Sequence, residues 1–88
     1  FIFTLIEAMV EAGVAMGFQT TDAQELILQM LQGCVTLLQE TGRHPAELKW
    51  QIASPGGTTI AGLRMLEKEH VKSGLIESFL TAYQKAQD

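Results

Sequence analysis

The stretch TDAQELILQMLQGCVTLLQETG, residues 21–42, decides the fold. At about 100° per residue, Leu26, Ile27, Met30, Leu31, Cys34, Val35 and Leu38 fall on one broad side, and Gln29, Gln32, Thr36 and Glu40 occupy the other. That is the period of a helix and not the two-residue alternation of a strand. Thr21 followed by Gln24 reads as a capping box, the Thr oxygen accepting from a free backbone N–H while the Gln side chain reaches back. The helix is therefore predicted to start at Thr21 and to close at Gly42.

Upstream, Ile2, Leu5, Ile6, Met9 and Val10 share one side of a first helix, and Thr4, Glu7 and Glu11 leave only a narrow polar strip. A surface helix normally has a broad polar face, so this one must be covered on most sides. Gly17 is its expected stop. The apolar opening from Phe1 to Phe18 is not a secretion signal, because it lacks a basic start and a small-residue cleavage site and is interrupted by Glu7 and Glu11. The chain begins without Met and already inside a helical pattern, which implies a protein part ahead of Phe1.

Downstream, Pro45 suits the first turn of a short helix over residues 46–52, where no backbone N–H is needed. Ser54, Pro55, Gly56 and Gly57 then form the densest turn-forming stretch, and Thr58 or Thr59 is expected to cap a helix running through Leu63 and Leu66. A turn near Glu69 and His70 leads to a last helix carrying Leu75, Ile76, Phe79, Leu80 and Tyr83. No segment reads as a strand. The fold class is all-α, one unit of about five helices over residues 1–88 with short connections.

Hydrophobic residues make up 47% and charged ones 18%, an apolar balance for 88 residues, which can bury only a modest share of their surface. Either the domain associates with itself or part of the protein is missing, and Gly13, Gly33 and Gly62 would let helices approach closely. A net charge of −4 with scattered Lys and Arg argues against nucleic acid, and no segment reads as a membrane span. The single cysteine, Cys34, has no partner for a disulfide or a zinc site, which favours a reducing compartment such as the cytoplasm, and no metal is expected. His44 and His70 read as surface residues, and Trp50, Phe79 and Tyr83 as core or interface aromatics.

The chemistry concentrates at residues 54–59. A glycine turn feeding a helix offers unpaired N–H groups and the positive end of the helix dipole to an anion, here with the hydroxyls of Ser54, Thr58 and Thr59 and no Cβ on Gly56 or Gly57 to block approach. Taken on physics alone, the same residues read first as a plain loop and helix cap, since such segments abound.

The string Ser54-Pro55-Gly56-Gly57-Thr58-Thr59-Ile60-Ala61-Gly62-Leu63, then Leu66-Glu67, resembles the signature of the pyrroline-5-carboxylate reductases. Similarity continues in Glu7-Ala8, Glu11-Ala12-Gly13-Val14, Met16-Gly17, Glu40-Thr41-Gly42 and His44-Pro45-Ala46-Glu47-Leu48-Lys49, covering most of the chain. One departure is Glu69-His70, where the family usually has Gly-Gly. The resemblance implies the intertwined C-terminal dimerisation and substrate domain of a two-domain reductase, whose N-terminal Rossmann domain is not in this chain.

It further implies a homodimer or higher homo-oligomer, and reduction of 1-pyrroline-5-carboxylate to L-proline by hydride from NADPH or NADH, the cofactor held by the other domain. The substrate-binding residues it implies are Ser54, Gly56, Gly57, Thr58 and Thr59. Of these, Thr59 is the catalytic one, placed at the imine nitrogen, and Gly57, Thr58 and Ser54 receive the carboxylate. These 88 residues alone are then expected to be inactive and to bind no cofactor specifically. The competing reading is a helical self-association module with no catalytic role.

Overall fold

The computed structural model describes residues 1–52 and 57–88, and every element in them is helical: α1 (Ile2–Ala15), α2 (Thr20–Thr41), α3 (Pro45–Ile52), α4 (Thr58–Lys68) and α5 (Val71–Gln87). The all-α expectation holds. The chain divides into two compact units, Phe1–Pro45 and Ala46–Asp88. Among the described residues, no helix is long and apolar enough to cross a membrane.

In the first unit, α1 ends where a glycine permits it. Gly17 has φ 109°, its N–H donates to the Val14 carbonyl at 3.0 Å, and the Phe18 N–H donates to the Gly13 carbonyl at 3.1 Å. These are the paired bonds of a Schellman cap, which satisfy carbonyls that the helix end would leave unpaired. The chain turns back within four residues, and α2 starts at Thr20 with extended Gln19 ahead of it and no side-chain cap. The capping box expected at Thr21 and Gln24 is therefore not formed. Thr21 already lies inside the helix, and a residue with helical dihedrals cannot fold its hydroxyl onto the N–H groups of its own first turn. Asp22 in that turn instead complements the helix dipole. Gly42 ends α2 as expected, with φ 64° and its N–H on the Leu38 carbonyl at 3.0 Å.

The α1–α2 contact centres on small residues. Ala23 is 2% exposed and is the buried residue among those described, and half-buried Leu5, Ile6, Met9 and Val10 of α1 and Ile27 and Leu31 of α2 surround this seam. A Cβ built on Gly13 would lie 2.9 Å from the Cβ of Ala23, so the missing side chain is what lets the helices close. Gly33 and Gly62, expected to serve similarly, meet nothing within 4 Å inside the chain.

At 1.5 Å per residue α1 is about 21 Å long and α2 about 33 Å, so α1 cannot cover the whole of α2. It also meets only one side of the part it spans, where Ile27 and Leu31 are half-buried, so Leu26, Met30, Cys34 and Val35 are exposed although the sequence places them on the apolar side. Phe3 of α1 is 86% exposed. The apolar surface that the periodicity predicts is present, but this chain covers little of it.

α3 begins at Pro45, the last residue of the first unit, as expected, and in the second unit half-buried Ile60 and Leu63 of α4 lie on the side that packs with half-buried Val71 and Leu75 of α5. Trp50 is 61% exposed and carries the Lys49 ammonium 5.2 Å from its ring centroid. Trp50, Phe79 and Tyr83 are thus surface aromatics of this chain rather than its core.

The α4–α5 turn sits at Glu69 and His70. His70 has φ 57° and ψ 35°, the left-handed region, and is the sole non-glycine with positive φ among the described residues. Its N–H donates to the Glu67 carbonyl at 3.1 Å, and its carbonyl accepts from the Gly74 N–H at 2.9 Å and the Ser73 hydroxyl at 3.2 Å. The backbone at His70 asks for what glycine gives freely, so a glycine at that position would sit there without strain. His70→Gly should therefore stabilise the protein by about 0.5–1 kcal/mol, the relief of the left-handed side chain being partly offset by glycine's greater freedom when unfolded. Thermal unfolding checks this, and a lower melting temperature would mean that the imidazole itself holds the turn.

Candidate functional site

Of the stretch 54–59 to which the sequence assigns the chemistry, the described residues Gly57, Thr58 and Thr59 form the start of α4. Gly57 precedes the helix with φ −84° and ψ 174°, ordinary extended backbone, and its carbonyl accepts the first intrahelical bond from the Ala61 N–H at 3.3 Å. Since that φ suits any residue, what glycine contributes there is the missing Cβ, which leaves room beside the backbone. Thr58 and Thr59 are the first two residues of the helix, and both are exposed. The expectation that one of them caps α4 is therefore corrected. Gly57 occupies the cap position, and both threonines lie within the first turn.

This correction changes what the helix end can do. The N–H groups of Gly57, Thr58, Thr59 and Ile60 precede the first intrahelical donor and have no acceptor within the helix. A glycine cap has no side-chain oxygen to offer them, and α4 has no acidic residue in its first turn to neutralise the dipole. An incoming carboxylate would meet donors and the positive helix end without an internal competitor from that turn. The Ile60 N–H was not among the donors expected from sequence, although a cap at Thr58 or Thr59 would also have left it without an acceptor in the helix.

Of the five expected binding residues, Gly57, Thr58 and Thr59 lie together at this helix start. Ser54 and Gly56 lie outside the described residues. His44 and His70 are exposed. Among the described residues, no group of three His, Cys, Asp or Glu side chains comes together as a metal site would need. The grooves found along α2, one lined by Gln29, Gln32, Gly33, Thr36, Leu37 and Glu40, are open dips on a helix surface that would not bury a small molecule.

Residues 1–88 match the family described as Pyrroline-5-carboxylate reductase dimerisation. A pyrroline-5-carboxylate reductase of Synechocystis is 42% identical over 88 residues, which is 100% of this chain and 33% of that protein. One of Arabidopsis thaliana is 39% identical over 88 residues, 100% of this chain and 32% of that protein. A solved structure of Plasmodium falciparum pyrroline carboxylate reductase with NADP bound is similar with a TM-score of 0.83 and 33% identity, over 86% of this chain and 31% of that one. The chain thus spans about a third of the length of the curated relatives it matches.

Proposed function

The chain belongs to the pyrroline-5-carboxylate reductase family, and from that premise we propose that it is the helical dimerisation and substrate-binding part of a two-domain enzyme that reduces 1-pyrroline-5-carboxylate to L-proline. The observation that carries the substrate role is the start of α4, where Thr58 and Thr59 are exposed in a first turn that has a glycine cap and no acidic residue.

The reaction adds a hydride to the imine carbon and a proton to the imine nitrogen, turning the C=N bond into a secondary amine. NADPH or NADH, when bound by the whole enzyme, supplies the hydride and leaves oxidised. The residues described here do not fit that cofactor, since a dinucleotide is held at strand ends beside a glycine-rich strand-to-helix turn and these residues form helices throughout. Their part is the substrate. The N–H groups of Gly57 and Thr58, with the Ser54 hydroxyl, hold the carboxylate, and Gly56 leaves space for it. The Thr59 hydroxyl hydrogen-bonds at the imine nitrogen and orients it. A neutral threonine is a poor general acid, so the proton is already on the imine or arrives through water, and hydride addition to that iminium avoids forming an amide anion. Steady-state reduction of 1-pyrroline-5-carboxylate by the whole enzyme, wild type beside Thr59→Ala, tests this reading.

The same premise places the chain in a homodimer, which the uncovered apolar residues of α1, α2 and α5 support. Leu26, Met30 and Val35 on α2 and Ile76, Leu80 and Tyr83 on α5 are exposed in the single chain. On each helix by itself, exposed apolar side chains of this kind support an association site. Sedimentation of the 88-residue chain at micromolar concentration should give twice 9.7 kDa or a larger multiple, and a well-folded 9.7 kDa species would overturn it. The reductase is placed in the cytoplasm, where an unpaired thiol such as Cys34 stays reduced.

Cofactor binding is assigned to the other domain, so calorimetric titration of these residues with NADPH should show no specific heat. A tight NADPH complex would reassign the cofactor site. The second reading, a self-association module without a catalytic role, draws on the same exposed apolar faces. It parts from the first at Thr59, whose hydroxyl it gives nothing to do.

A further inference from the structure

We draw no further inference here: the strongest candidate, the strip of α2 on which Leu26, Met30 and Val35 are exposed and Gly33 meets open space, restates the self-association of the dimerisation family to which the chain belongs, and nothing in the structure shows a different occupant.

Discussion

Replacing Thr59 by alanine in the whole enzyme should lower kcat by something on the order of 10- to 1000-fold while substrate affinity falls only modestly. The split follows from which groups the substitution touches. The backbone N–H groups of Gly57 and Thr58, assigned to the carboxylate, survive it, and the hydroxyl assigned to the imine nitrogen does not. A hydrogen bond that strengthens as the nitrogen gains electron density contributes more to the transition state than to the bound substrate, so its loss appears in kcat. Thr59→Ser keeps the hydroxyl and should retain much of the rate.

Stability gives an independent control. Thr59 lies in the first turn of α4 behind a glycine cap, so no cap is lost with its hydroxyl. Alanine is the better helix former by a few tenths of a kcal/mol, and the melting temperature should hold or rise slightly. Had Thr59 been the cap, alanine would cost about 1 kcal/mol with catalysis nearly intact. Kinetics and melting curves of both variants separate these outcomes, and a wild-type kcat for Thr59→Ala would remove the catalytic role and favour the self-association reading.

Helix ends were legible in the sequence wherever the backbone makes a demand that few residues meet. Gly17 and Gly42 take positive φ, and Pro45 opens a helix where its missing N–H costs nothing. Helix starts were read less well. Thr20, Thr21, Thr58 and Thr59 are all competent caps by type, and no local rule decides which of several hydroxyls precedes the first helical residue. In both cases the structure begins the helix on the first threonine and caps it with the residue before, Gln19 or Gly57.

Partnership is the second thing that periodicity does not carry. It identifies Leu26, Met30, Val35, Ile76 and Leu80 as apolar residues seeking cover, but cover from within the chain and cover from another copy look the same in one dimension. In the structure these side chains are exposed while Ala23 is buried, so the single chain does not supply their cover. For the site, the physics of a glycine turn before a helix favours a plain loop over an anion seat. The long match over residues 54–63 is what favours the seat, and Ser54 and Gly56, two of its five expected residues, lie outside the described residues.

The α1–α2 seam supplies a sharper test of packing, because one missing methyl group is identifiable in it. Gly13→Val should destabilise the protein by about 1–3 kcal/mol, the usual range for forcing extra carbon into a closed contact. The obstacle is specific. A Cβ on Gly13 would stand 2.9 Å from the Cβ of Ala23, which is buried and, being the first carbon of its side chain, cannot swing aside. The helices must separate, and half-buried Ile6, Met9 and Ile27 around the seam lose contact when they do. Gly13→Ala is the finer probe. Alanine gains up to about 1 kcal/mol in helix propensity, and the clash removes that gain or reverses it. Pairing Gly13→Ala with Ala23→Gly restores the room, so the two substitutions should couple favourably by about 0.5–3 kcal/mol in a double-mutant cycle. Gly33→Ala is the contrast within the chain, since Gly33 meets nothing within 4 Å there. It should take its propensity gain in full unless a second copy closes on that face. Urea unfolding at one fixed protein concentration reads all five variants, Ala23→Gly alone included, the fixed concentration being required because association feeds into the stability of a dimer. A Gly13→Ala protein stabilised as much as an open helical site allows, with no coupling to Ala23→Gly, would show that α1 and α2 do not meet through this pair.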